Sequence, residues 1–151
     1  MQPTILIVED HEAVRRRLAE WLHVSFPACR ILEVGSAEEA LRVSETERLD
    51  LIIVDIHLPL MNGLEASRQI KARQPKSRIV VLSLYDDLAQ RARAGDIGAS
   101  AFVSKQTMHS DLLPVLETLL PRRARQRSRL KVEVMAGSRE RQKGNAWTPS
   151  S

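Results

Sequence analysis

The sequence predicts an α/β fold, a doubly wound parallel sheet covered by helices on both faces. Three observations carry that expectation. Short unbroken aliphatic runs alternate with amphipathic helical patterns along most of the chain, and alternation of that kind builds parallel strands with right-handed crossovers. One of those runs, Leu51-Ile52-Ile53-Val54, reads as a strand buried on both faces, and it delivers a carboxylate, Asp55, into a loop. Aromatic residues make up only 3% of a chain that is 43% hydrophobic, so the core must come mainly from Leu, Ile, Val and Ala, as helix-covered parallel sheets require.

Each element has its own signal. Thr4 to Val8 is a strand, and Ala13 to Val24 a helix whose Val14, Leu18, Trp21 and Leu22 share one face. Cys29 to Val34 is the second strand. Gly35 turns the chain, and Ser36-Ala37-Glu38-Glu39 is a capping box that opens a helix through about Glu45. Leu49 to Val54 is the third strand. A loop from Pro59 to Gly63 leads to a helix from about Leu64 to Arg73, which stops before Pro75. Arg78 to Leu82 is the fourth strand, followed by a helix from Asp87 to Ala94 that is expected to end near Gly95. A short fifth strand covers Ala101 to Val103, and a last helix reaches Leu120. Pro114 lies within that helix pattern; a start near Ser110 or Asp111 would put it at the end of the first turn, where proline is tolerated.

The 151 residues fit one domain and a tail. Residues 1–121 carry fourteen Lys or Arg against seventeen Asp or Glu, whereas residues 122–151 carry nine against two, with five arginines between Arg122 and Arg129. The boundary therefore falls at about residue 121, and residues 122–151 read as a basic, flexible extension. No apolar stretch approaches a membrane span, and Met1-Gln2-Pro3-Thr4 lacks a secretory pattern, so a cytoplasmic protein without membrane contact is expected. Cys29 is the single cysteine and reads as a small buried residue. His11, His23 and His109 lack metal-ligand spacing and are expected to be surface or capping groups.

In an open parallel sheet, ligands bind at the carboxyl ends of the strands. Glu9 and Asp10, Asp55, Ser83 and Lys105 all follow strand ends and are expected to converge there. Three carboxylates with no basic residue between them would repel, which calls for a hard divalent cation, and magnesium suits an oxygen set that also takes phosphate oxygens. Lys105 offers a point charge and Ser83 a hydroxyl donor to an anionic group. Such parts describe an aspartate nucleophile that accepts a phosphoryl group. Asp55 as a mere cap of the loop, Glu9 and Asp10 as cap and first-turn acids of the first helix, and Ser83 and Lys105 as ordinary strand-end residues are the plainer alternatives.

Four segments taken together resemble the receiver domain of response regulators, in the superfamily of CheY-like proteins: Ile5-Leu6-Ile7-Val8-Glu9-Asp10-His11; Asp55 with Pro59 and Gly63; Val80-Val81-Leu82-Ser83; and Gly98-Ala99-Ser100-Ala101-Phe102-Val103-Ser104-Lys105. Leu82 to Asp87 and Ala101 to Lys105 are most similar to receivers of the LuxR/NarL class. The resemblance implies a flavodoxin-like (βα)5 sheet in the order 2-1-3-4-5. It further implies that Asp55 is phosphorylated by a histidine kinase or phosphotransfer protein, with Mg2+ held by Glu9, Asp10, Asp55 and the backbone carbonyl of His57. Ser83 and Lys105 would hold the phosphoryl oxygens, and Phe102, otherwise a core residue, would be the aromatic switch. The readout surface would be the fourth helix, fifth strand and fifth helix, acting on a protein partner or a second copy, with no catalysis beyond the protein's own phosphotransfer and dephosphorylation. His57 and Tyr85 would flank the phosphoryl group and tune water attack.

LuxR/NarL regulators normally continue into a helix-turn-helix domain, and residues 122–151 are too few for an independent core. Ser138-Arg139-Glu140-Arg141 is faintly similar to the start of such a domain, so a truncated regulator is one alternative. Another is DNA contact through the basic tail, though that segment lacks the interleaved aromatics of base-stacking sequences. Leu130, Val132 and Val134 alternate with charged residues, as in a short edge strand. A hydrolase of the haloacid dehalogenase class would need a second Asp two positions beyond Asp55, where His57 stands.

Overall fold

The computed structural model describes residues 2–58, 61–85, 87–122 and 124. Five strands, β1 (Thr4–Val8), β2 (Arg30–Val34), β3 (Leu51–Asp55), β4 (Arg78–Ser83) and β5 (Ala101–Ser104), alternate with five helices, α1 (Glu12–Ser25), α2 (Ala37–Thr46), α3 (Gly63–Arg73), α4 (Leu88–Asp96) and α5 (Met108–Leu119). The strands form one parallel sheet in the order β2-β1-β3-β4-β5, the flavodoxin-like arrangement the sequence implied. Every residue of β1 and β3 is buried, which explains why these two strands read as unbroken aliphatic runs.

Successive side chains of the central strands enter two separate cores. Ile5, Ile7, Leu51, Ile53, Val80 and Leu82 pack with Leu18 and Leu22 of α1 and Leu112 and Leu116 of α5. Leu6, Val8, Ile52, Val54, Ile79 and Val81 point the other way, against Ala40, Leu64, Ile70 and Ala94 of α2, α3 and α4. Each fully buried Leu or Ile contributes about 1.5–3 kcal/mol relative to exposure. The sheet therefore holds its carboxyl ends rigidly for the residues that follow them.

Helix ends show where local chemistry matched expectation and where it did not. Ser36 Oγ accepts from Glu39 N at 3.1 Å, as a capping box requires, while Glu39 Oε2 reaches the Gly35 N–H at 3.0 Å. The cap of α1 is His11, whose Nδ1 accepts from Val14 N at 3.4 Å, so Glu9 and Asp10 are free of that duty. Helix α4 runs past Gly95 to Asp96. Its cap is a Schellman motif in which Gly98, at φ +82°, donates to the Gly95 carbonyl and Ala99 N to that of Ala94. Gly98, not Gly95, supplies the left-handed residue that ends the helix.

Helix α5 begins at Met108, two to three residues earlier than the proline suggested, and Pro114 lies in its interior. Proline there withholds one backbone donor from the preceding turn, but Pro114 is exposed, so water can serve the carbonyl it leaves. Beyond α5, Ala124 is fully buried in the α1–α5 core and its N–H bonds to Pro121 O at 3.0 Å. Residues 125–151, with most of the basic tail, its alternating segment and Ser138–Arg141, lie outside the described residues. Among the described residues no helix is long and apolar enough to cross a membrane.

Candidate functional site

The carboxyl ends of β1, β3 and β5 bring three charged side chains into direct contact. Glu9 follows β1, Asp55 is the last residue of β3, and Lys105 follows β5. Glu9 and Asp55 are only 1% and 4% exposed. Lys105 Nζ lies 2.6 Å from Glu9 Oε1 and 2.9 Å from Asp55 Oδ2. The other Asp55 oxygen, Oδ1, accepts from His57 N at 2.9 Å, and Glu9 Oε2 accepts from His11 N at 3.4 Å. Asp10 completes the group from an exposed position, and one carboxylate oxygen from each of Glu9, Asp10 and Asp55 lies within 4.8 Å of the others.

The sequence brings Lys105 to the same crevice to face an anionic group but suggests no base between the three acids, and on that point the structure differs. Lys105 already stands between two of the three, because β5 pairs with β4 such that Ser104 sits beside Ser83 and carries the next residue over the site. The electrostatics follow from that contact. Burial, then the hydrogen bond and charge of Asp55, push the Glu9 carboxyl up to about 7 despite the pull of Lys105. Burial also works to raise Asp55, but the Glu9 hydrogen bond, the Lys105 ammonium and the His57 N–H outweigh it and hold Asp55 below the usual carboxylate range. Burial would lower Lys105; its two acidic partners raise it instead. Two neighbouring carboxyls thus split their affinities: Glu9 is the one that takes up a proton more readily, and Asp55 the one that gives it up.

A divalent cation fits this set. Three carboxylates against one ammonium leave two negative charges, and all the donors are hard oxygens. His57, predicted to offer its backbone carbonyl, sits on the loop directly after Asp55.

Ser83 is fully buried at the end of β4, as predicted, but its hydroxyl donates to Tyr85 O at 2.7 Å and accepts from Tyr85 N at 3.2 Å. It is turned into its own loop. Phe102 of β5 is half-buried against the α2–α3–α4 core and carries the Arg91 guanidinium 4.8 Å from its ring centre. The His57 and Tyr85 rings meet edge to face, 6.2 Å apart, and Tyr85 is 63% exposed.

Gly63 owes its place to a close approach. A Cβ there would lie 2.3 Å from the Asp55 backbone oxygen and 2.9 Å from Val54 Cγ2, so only glycine lets α3 begin against the end of β3. Sequence reasoning missed Arg15, whose Nη1 donates to the Glu9 carbonyl at 3.0 Å from one turn into α1. Its spacing of six from Glu9 is one helical turn beyond a loop, a signal too common to single out.

Comparison with known proteins agrees with the geometry. Residues 5–117 match the family described as Response regulator receiver domain. The chain is 36% identical over 120 residues to the transcriptional regulatory protein PdtaR of Mycobacterium tuberculosis, spanning 78% of this chain and 57% of that one, so it covers little more than half of that relative. A response regulator from Burkholderia pseudomallei, solved with a phosphorylated aspartic acid, calcium ion and citrate, superposes with a TM-score of 0.69 at 25% identity, covering 90% of this chain and 72% of that one. The response regulator TrrA of Thermotoga maritima, in complex with Mg(2+)-BeF, gives a TM-score of 0.69 at 27% identity over 78% of this chain and 99% of that one. With the fold, the acidic cluster and the lysine contact in agreement with the match over residues 5–117, the chain belongs to the response regulator receiver domain family.

Proposed function

We propose that the protein is a phosphorylation-dependent switch of two-component signalling in which Asp55 accepts a phosphoryl group from a phosphohistidine on a kinase or phosphotransfer protein. The observation that carries the reading is the ionised Asp55 carboxylate, buried at a strand end and held by Lys105 at 2.9 Å beside Glu9 and Asp10. An Asp55 oxygen attacks phosphorus, the phosphorus–nitrogen bond breaks, and the departing imidazole keeps the electron pair and takes up a proton. Bound Mg2+, held by Glu9, Asp10, Asp55 and the His57 carbonyl, would neutralise charge that builds on the phosphoryl oxygens. Lys105 stays beside Asp55 and supplies a cation to one phosphoryl oxygen. Ser83 must give up its bond to Tyr85 O before its hydroxyl can serve another, and that release would free the β4–α4 loop and Phe102 to rearrange.

The chemistry of the protein is confined to gaining and losing its own phosphoryl group. The α4–β5–α5 face would read out the change, to a protein partner or a second copy, in the cytoplasm. Residues 1–121 are the receiver and the basic residues 122–151 an extension whose first residues still pack on it at Ala124. The test is incubation with Mg2+ and acetyl phosphate, compared with Asp55→Asn by intact mass. The native protein should gain one base-labile phosphoryl group that the variant lacks; an equal adduct in both would remove Asp55 from the reaction.

A further inference from the structure

The turn that carries Glu9 and Asp10 is held by a residue outside the acidic cluster. Glu9 N donates to Val34 O at 3.1 Å, which extends the β1–β2 ladder by one bond. The ladder then stops: the Gly35 N–H turns away to Glu39, and Ser36 caps α2. The Glu9 carbonyl, on a residue 1% exposed, accepts instead from Arg15 Nη1 at 3.0 Å. Arg15 Nε is anchored in turn 3.4 Å from Glu33 Oε1 of β2. A Cβ on Gly35 would lie 3.1 Å from Nη1, a contact tight enough that the guanidinium would have to shift by a few tenths of an ångström. One arginine thereby ties the first turn of α1 to the ends of β1 and β2.

The consequence for the acids follows from the peptide plane. The Glu9 carbonyl and the Asp10 nitrogen belong to one rigid unit, so holding that oxygen restrains the peptide plane from which both acidic residues extend. A guanidinium with a planar fork suits this two-point hold, where an ammonium would supply only a point charge.

We propose that Arg15 is a positioning residue for the Mg2+ site: its two-point contact with the Glu9 carbonyl and the Glu33 carboxylate fixes the peptide that aims Glu9 and Asp10. The inference rests on the phosphoryl-switch reading above, and it predicts an effect opposite in sign to simple charge. Removing a cation from the turn that carries Glu9 and Asp10 should tighten Mg2+ binding if charge alone matters. Loss of positioning should weaken it.

The full chain and its Arg15→Gln, Arg15→Lys and Gly35→Ala variants are titrated with Mg2+ at pH 8 by amide chemical shifts, and melted in EDTA. Arg15→Gln should bind Mg2+ about tenfold more weakly, the scale of a lost supporting contact at a metal site. Arg15→Lys, with the charge kept and the fork gone, should lose part of that. Gly35→Ala crowds Nη1 without altering any charge and should also weaken binding; it carries the test if Arg15→Gln does not fold. Unchanged or tighter Mg2+ binding in the variants overturns the proposal, and a lowered melting temperature with unchanged affinity reduces Arg15 to a structural tie. A native chain that shows no Mg2+ response sinks the phosphoryl-switch reading itself, a result distinct from native binding with indifferent variants.

Discussion

Lys105 Nζ and Glu9 Oε1 stand 2.6 Å apart across residues separated by 96 positions, on a lysine whose side chain is 18% exposed and a glutamate that is 1% exposed. The lysine therefore does two jobs: it neutralises part of the acidic cluster and keeps a cation against Asp55. Replacing it separates them. Lys105→Gln removes a charge that competes with a metal, so at pH 8 it should bind Mg2+ roughly three- to tenfold more tightly. The same variant should take up phosphoryl groups from acetyl phosphate more slowly, since one oxygen loses its counter-charge. Weaker Mg2+ binding in Lys105→Gln would show that the ammonium organises the acids rather than competing for them.

Glu9 makes the metal-free protein sensitive to pH in a defined direction. Its carboxyl is raised from 4.5 to about 7 by burial and by Asp55, so the folded protein holds that proton more tightly than the unfolded chain does. The stability it contributes is complete below pH 4.5 and declines as pH rises through about 7. Asp55, held below its ordinary value, acts oppositely and only at acid pH, where its contribution is lost as it protonates. Denaturant midpoints in EDTA between pH 5 and 8 should thus fall more steeply for the native chain than for Glu9→Gln, by up to about 3 kcal/mol across the window. Parallel curves for the two proteins would contradict the assignment. Mg2+ affinity should rise over the same window, because the metal displaces the Glu9 proton.

Gly63→Ala tests the seat of Asp55. The added Cβ would meet the Asp55 carbonyl at 2.3 Å, a backbone contact that no rotamer change relieves. Overpacking of that kind should cost about 3 kcal/mol or more in urea unfolding. A loss under about 1 kcal/mol would mean that the β3–α3 junction yields easily.

Ser83→Ala should separate phosphoryl binding from the proposed readout. Ser83 makes no described bond to Asp55 and instead closes on Tyr85, so its loss should leave Mg2+ binding close to native. Beryllofluoride with Mg2+ should still bind the variant, but the chemical-shift changes at Phe102 and along α4 should shrink. Full native-like changes in Ser83→Ala would remove the hydroxyl from the signal route.

The fold was legible because its signals are local. Buried runs such as Leu51–Val54, the Ser36 cap and the alternation of helices are set by neighbours within a few positions. Exact ends were less so. Gly95 looked like a helix stop and Gly98 was the one, since a Schellman cap depends on which glycine reaches positive φ. Pro114 pointed to a late start for α5, yet exposure at that position lets the helix carry it from Met108 onward.

For the site, the sequence by itself determined which residues follow strand ends, because in a parallel sheet every carboxyl terminus faces the same edge: Glu9, Asp10, Asp55, Ser83 and Lys105 could be named from pattern and family resemblance. Tertiary structure alone decided how they meet. That Lys105 lies between Glu9 and Asp55 and that burial and Asp55 raise the Glu9 carboxyl depend on ångström-scale distances between chain segments far apart in sequence; that Ser83 is turned to Tyr85 and that Arg15 holds the Glu9 carbonyl depend on equally fine local geometry. Hydrogen bonds and buried charges weaken steeply over such distances, and no periodicity in the sequence encodes them.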